Sequence, residues 1–143
     1  MDDQAQAASQ AQAQAQAQAM VGIVIVSHSA RLAEEVAAIA REIGGENVPV
    51  AAAGGTDDGG LGTSLDKVIA AIESVDQGMG VVLIPDLGSS VLTAKLVEEP
   101  GSVVIADVPL VEGAIAAAVT VGGGASLPDV LASAEEARTF RKL

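Results

Sequence analysis

No cysteine occurs among the 143 residues, and there is one histidine, one aromatic residue and three lysines. The missing thiols exclude disulfides and thiolate metal sites, and a lone histidine makes a His-rich zinc site untenable. No apolar run approaches the roughly 18 residues of a membrane span, and no signal-peptide pattern is present, so a cytoplasmic protein is expected. Cations are scarce: seven Lys and Arg stand against nineteen Asp and Glu, for a net charge of −12. Nucleic acids and anionic membranes need a basic patch, and neither is expected as a partner. An acidic, Lys-poor surface is what a salt-rich cytoplasm favours, because screening relieves self-repulsion; a halophilic source is the corresponding expectation. Unfolding at low and at molar salt tests it, and equal stability in both would remove it.

What remains is Val, Ile, Leu, Ala and Gly. With hydrophobic residues at 50% and aromatics at 1%, the core has to be aliphatic. Such a core suits a sheet packed with helices, since Val and Ile favour strands while Ala and Leu favour helices. The length fits one domain. Residues 1–19 are a low-complexity Gln/Ala tail, expected to be disordered or loosely helical, which leaves residues 20–143 as the domain.

The chain organises around Gly22–Ser27, an apolar run without alternation that ends at His28. That pattern reads as a strand buried on both faces, the mark of a parallel sheet covered by helices. Helical spacing follows from Ala30 to Ile43, with Ser29 as cap and Leu32, Val36, Ile39, Ala40 and Ile43 as the inner face. Gly44-Gly45 ends it. Val48–Ala53 reads as a short second strand, where Pro49 implies an edge or a strand start. A glycine-rich loop, Gly54–Ser64, leads into a helix capped by Thr63 and running to about Val75. Its Asp57 and Asp58 lack the spacing of a calcium loop, and no Gly-Lys-Ser/Thr follows to make a P-loop. Connector, metal site and nucleotide site stay open as readings of it.

Gly80–Asp86 is a third buried strand, in which Pro85 is an unusual residue so near the end. Leu87-Gly88-Ser89-Ser90 then opens a helix expected to run through Glu98. Backbone N–H groups at a helix start, together with hydroxyls and a glycine, form a place for an anion. The alternative makes Asp86 a turn residue and the serines caps. A fourth strand at Ser102–Ala106, a helix from Pro109 to about Val121, and a last helix complete the order. Ser126 caps that last helix, and Leu127, Val130, Leu131, Ala134, Ala137 and Phe140–Leu143 form its inner face. Alternating strands and helices predict an α/β fold, a mostly parallel central sheet with helices on both faces.

His28 falls at the carboxyl end of a central strand, where ligands and chemistry collect in open α/β sheets. It could be a hydrogen-bonded structural residue or a nucleophile. Three features favour a nucleophile that carries a phosphoryl group. Ser27 and Ser29 leave access to the ring and offer hydroxyls; Asp86 can fix the tautomer; and the following helix start can take up phosphate charge.

The strings Ile23–Ser29, Asp57-Asp58 with Gly62-Thr63, Ala71–Val75, Asp86–Ser90 and Pro109–Gly113, in this order, resemble the DhaM family. Its members are the phosphotransferase subunits of phosphoenolpyruvate-dependent dihydroxyacetone kinases. The resemblance implies the mannose-type IIA fold, four parallel strands often with an added antiparallel one, and a homodimer. It implies that His28 accepts phosphate from HPr and passes it to ADP held by DhaL, for use on dihydroxyacetone bound by DhaK. It further implies that Asp86 orients His28 and that Gly88, Ser89 and Ser90 line the phosphate pocket, to which Ser27 and Ser29 are assigned as the hydroxyls flanking the ring. No metal or cofactor belongs to this subunit; phosphate is carried covalently on His28, and ADP and Mg²⁺ sit on the partner. HPr and enzyme I, fused in some members, are expected as separate chains. The interaction face is expected to be apolar or small, around Ser27 to Arg31 and the glycine-rich loop. Rival readings are a sugar-specific mannose-type IIA domain and a non-enzymatic α/β small-molecule-binding module.

Overall fold

A computed structural model describes residues 19–143 and Gln6. The tail read over residues 1–19 therefore lies outside the described residues, except for Gln6 and Ala19.

Four parallel strands form one sheet in the order β2-β1-β3-β4: β1 Gly22–Ser27, β2 Val50–Gly54, β3 Val81–Pro85 and β4 Val103–Ile105. Five α-helices accompany them among the described residues: α1 Ala30–Gly44, α2 Leu65–Val75, α3 Gly88–Lys95, α4 Leu110–Gly122 and α5 Leu127–Glu135. A 3₁₀ turn follows at Glu136–Thr139. Among the described residues the only antiparallel pairing is a single bridge, Glu99 with Val103, and no added fifth strand is found there.

The unbroken apolar run of β1 has a direct cause. Its alternate residues Ile23 and Ile25 enter a core under α1, α4 and α5, whereas Val24 and Val26 enter a second core under α2 and α3. Both faces are covered, so Ile23–Val26 leave no position for a polar side chain. Fully burying each such side chain stabilises the fold by about 1.5–3 kcal/mol relative to leaving it exposed. β3 repeats the arrangement, with Val82 and Ile84 on one side and Val81 and Leu83 on the other.

Pro85 sits in an interior strand without breaking the ladder. Leu83 directs its carbonyl toward β4, where it accepts from Ala106 N–H at 2.9 Å, and Pro85 faces the same way. β4 has ended by then, its Ile105 pairing with Leu83, so no donor is required of residue 85. Asp86 N–H then bonds the Val26 carbonyl at 2.9 Å and ties the end of β3 to β1.

Several boundaries and faces differ from the sequence expectation. Ser64, not Thr63, caps α2, accepting from Lys67 N–H at 3.2 Å. α3 stops at Lys95, short of Glu98, and the last helix gives way to the 3₁₀ turn at Glu136. Ser126 makes no side-chain cap bond, and Phe140 and Leu143 are exposed rather than packed inward. The buried face of α1 is Ala33, Val36, Ala37 and Ala40, while Leu32, Ile39 and Ile43 lie on an exposed flank. Small residues win that face because α1 packs closely on α4: a methyl group at Gly44 would stand 2.6 Å from the Ala118 Cβ.

Candidate active site

β1 and β3 are neighbours in register, Val26 opposite Pro85, so the residues that follow them emerge side by side at the carboxyl edge. His28 follows β1 and Asp86 follows β3. The sheet order alone therefore joins two residues 58 positions apart.

His28 Nδ1 lies 3.0 Å from Asp86 Oδ1. The same oxygen accepts from Leu87 N–H at 2.7 Å and from the Ser90 hydroxyl at 2.6 Å. The other carboxylate oxygen, Oδ2, accepts from the Ser27 hydroxyl at 2.8 Å and from His28 N–H at 3.1 Å. Burial by itself would raise the Asp86 pKa, but the bonds from Ser90, Ser27 and the His28 amide and ring outweigh it. The carboxyl is lowered to about 2 and is fully ionised at neutral pH. An anion beside Nδ1 keeps the ring proton there, so Nε2 is the bare nitrogen. Nε2 faces outward and touches the Ser89 hydroxyl at the start of α3. The His28 side chain is 24% exposed against 9% for Asp86, so the ring is the more accessible of the two.

The four serines divide by role. Ser89 alone reaches Nε2. Ser90 is fully buried and turns toward Asp86, its Oγ 3.2 Å from His28 Nδ1. Ser27, expected to line the phosphate pocket, is also fully buried; it bonds Asp86 and accepts from Ser29 N–H at 3.0 Å. Ser29, assigned to the same pocket, caps α1 instead by accepting from Leu32 N–H at 3.2 Å. Gly88 opens α3 with nothing within 4 Å of where a Cβ would stand, and no side chain caps that helix start. Its first-turn N–H groups are left for another acceptor close to Nε2.

The glycine-rich loop forms a wall of the site. Gly62 N–H bonds the His28 carbonyl at 2.9 Å, Gly55 N–H bonds the Ser27 carbonyl at 3.1 Å, and Thr63 Oγ1 meets Thr93 Oγ1 of α3 at 2.7 Å. Asp57 and Asp58 are engaged within the loop, with Ser64 and Thr56. Among the described residues, no three acidic or histidine side chains come together as a metal-ligating set.

Sequence reading missed three features. Leu61, next to the glycine whose N–H holds the His28 carbonyl, and Leu87, next to Asp86, are 84% and 62% exposed. The Gly62 bond to His28 involves only backbone and carries no side-chain signal. A cleft of about 640 Å³ lies beside Asp86, between α3 and the end of β4; Leu87, Val91, Lys95, Glu98 and Asp107 contribute to its lining, and His28 does not.

The family model described as "PTS system fructose IIA component" matches residues 22–131. Among curated proteins, the chain is 39% identical over 126 residues to the PEP-dependent dihydroxyacetone kinase phosphoryl donor subunit DhaM of Escherichia coli. That match takes in 82% of this chain and 27% of the relative. It is 38% identical over 107 residues to the PTS-dependent dihydroxyacetone kinase phosphotransferase subunit DhaM of Lactococcus lactis, across 73% of this chain and 85% of that one. The chain thus spans about a quarter of the enterobacterial relatives and most of the lactococcal one. A crystal structure of a protein of unknown function, EF1359, superposes with a TM-score of 0.75 at 31% identity, covering 87% of this chain and 98% of the other.

Proposed function

This chain belongs to the mannose-type IIA family of the phosphotransferase system and, within it, to the DhaM subunits; from that membership we propose that His28 carries a phosphoryl group from HPr to ADP bound on DhaL. The Nε2 lone pair attacks phosphorus as the N–P bond to the donor's histidine breaks. The Nδ1 proton stays hydrogen-bonded to Asp86, whose negative charge offsets the positive charge that grows on the ring. In the second half-reaction an oxygen of the ADP β-phosphate attacks, the Nε2–P bond breaks, and Nε2 recovers its lone pair. The ATP formed would serve dihydroxyacetone held by DhaK. ADP and Mg²⁺ belong to the partner in this reading, and this subunit contributes only the covalent carrier.

One observation carries the proposal. A half-buried, ionised Asp86 holds Nδ1, while Nε2 faces the uncapped start of α3 with the Ser89 hydroxyl against it. Phosphoryl transfer asks for positioning and charge stabilisation, and this arrangement supplies both. Leu61 and Leu87, exposed and each next in sequence to a residue bonded into the site, fit a docking face for protein partners, and a net charge of −12 favours partners with a basic rim.

The test is incubation with phosphoenolpyruvate, enzyme I and HPr. Label on this chain that is acid-labile, alkali-stable and lost in His28→Ala is expected; absence of label overturns the proposal. Adding DhaL with ADP should discharge the label. Discharge by a IIB domain instead would support a sugar-specific carrier, a reading favoured by the description of the matching family model.

A further inference from the structure

We infer that Ser90, assisted by Ser27, sets how readily His28 gives up its phosphoryl group, by drawing charge from the Asp86 carboxylate that faces the ring. This rests on the reading of His28 as a phosphoryl carrier and adds to it a residue that tunes the carrier's transfer potential.

The argument is a count of protons. Five donors converge on one carboxylate, three on Oδ1 and two on Oδ2. Ser90 has one hydroxyl proton and two neighbours within reach, Asp86 Oδ1 at 2.6 Å and His28 Nδ1 at 3.2 Å. An ionised carboxylate only accepts, so the proton goes to Asp86, the closer contact. Ser90 thereby turns a lone pair toward Nδ1, which meets acceptors on both sides and has to carry its hydrogen. Ser27 is committed in the same way: its oxygen accepts from Ser29 N–H, and its proton goes to Oδ2. Neither serine has any solvent exposure, so no water competes for these bonds.

Every proton donated to Asp86 by another group weakens the pull of the carboxylate on Nδ1–H. Phosphorylation at Nε2 makes the ring more positive, and a hungrier carboxylate would hold that state more tightly. The serines therefore keep Asp86 a weak base: its carboxyl lies at about 2 despite burial, with Ser90 and Ser27 the leading causes of the lowering. The effect reaches the reacting nitrogen only through Asp86 and the ring, so Ser90 and Ser27 are positioning residues. Two roles sit on adjacent residues of α3, Ser89 against the reacting nitrogen and Ser90 against the carboxylate behind it.

The distinguishing measurement is an equilibrium. Phosphorylated HPr is mixed with the parent chain, Ser90→Ala and Ser27→Ala, and the partition of phosphate between the two proteins is read. In Ser90→Ala the partition should move toward this chain by about three- to tenfold, since a hydrogen bond to a charged group is lost. The half-life of the phosphohistidine should lengthen by a similar factor. Ser27→Ala, which leaves the ring untouched, should shift the partition in the same direction by less, and it keeps the test valid if Ser90→Ala does not fold. Damage to the site that was merely structural would slow transfer without favouring the loaded state. A partition that is unchanged, or moves toward HPr, in folded variants overturns the inference. A parent chain that takes no label overturns instead the reading on which it rests.

Discussion

Replacing Asp86 with asparagine keeps shape and removes charge, and the donor count dictates how the amide settles. Three donors converge on the Oδ1 position and two on Oδ2. The amide oxygen therefore takes the Oδ1 position, and the NH₂ group takes Oδ2. There it can donate to Ser27, whose hydroxyl can rotate, but it opposes His28 N–H, which cannot. Nδ1–H keeps an acceptor, so the tautomer survives. What is lost is the negative charge facing the ring as it becomes phosphorylated. At a charge separation of roughly 4 Å the interaction is about 4 kcal/mol for an effective dielectric of 20 and about 1 kcal/mol in water. A ring 24% exposed beside a carboxylate 9% exposed falls between these limits. A loss of about 2–3 kcal/mol from the transition state slows phosphorylation roughly 30- to 150-fold.

Rapid-quench measurement of labelled phosphate passing from HPr to Asp86→Asn checks the figure. If the amide instead turned its NH₂ to Nδ1, the proton would move to Nε2 and the loss would approach the roughly 10⁴-fold seen when a serine-protease aspartate becomes asparagine. Nitrogen NMR of the ring separates the two cases. A folded variant that transfers within threefold of the parent refutes the argument. Stability follows from the same group. Its pKa is 3.8 unperturbed and about 2 in the fold. A lowered pKa stabilises the fold above the unfolded value, and that contribution disappears as pH falls from about 4 through 2. It amounts to about 2 kcal/mol at pH 7, so parent and variant should differ by that much at neutral pH and converge near pH 2.

Ser29→Ala removes the α1 cap and should cost about 1 kcal/mol, visible as a melting shift of a few degrees, with phosphoryl transfer unchanged; a large loss of transfer would return Ser29 to the phosphate pocket. Leu61→Asp combined with Leu87→Asp should raise the apparent KM for HPr about tenfold or more while leaving the unfolding midpoint within error, because both side chains are exposed and each adjoins a residue bonded into the site. Gly22→Ala places a methyl 2.6 Å from both the Val75 carbonyl and its Cγ2, and denaturant unfolding should report a loss of about 1–3 kcal/mol.

The scaffold and the central pair were legible in the sequence because their signals are local. β1 and β3 announce themselves as apolar runs with no polar gap, which only a sheet covered on both faces allows. Each ends at the residue that matters, His28 or Asp86. The step from two strand ends to one site needed the strand order, which the sequence does not carry: the resemblance implies that Asp86 orients His28, and the β2-β1-β3-β4 sheet is what makes their strands neighbours. On α1 the expected inner face holds at Val36 and Ala40 but not at Leu32, Ile39 and Ile43, which size and hydropathy alone place inside. Close packing against α4 selects Ala33, Ala37, Ala40 and Gly44, and pushes Leu32, Ile39 and Ile43 to the flank.

The serines show where sequence reading stops. Ser27, Ser29, Ser89 and Ser90 are chemically one residue, and each flanks a strand end or helix start, so residue type assigns all four to the phosphate. Backbone phase separates them. Ser27 is the last residue of β1 and points to the opposite side of the chain from His28, into the interior where Asp86 waits. Ser29 has left the strand and stands in extended geometry before α1, the position from which a side chain caps. Ser89 and Ser90 are one step apart on a helix, about 100° of rotation, which is enough to send one hydroxyl to Nε2 at the surface and the other to Asp86 beneath it. A single-residue slip at either place would exchange an anion ligand for a buried proton donor. The geometry around His28 therefore tolerates substitution far better than insertion or deletion at Ser27–Ser29 or Leu87–Ser90.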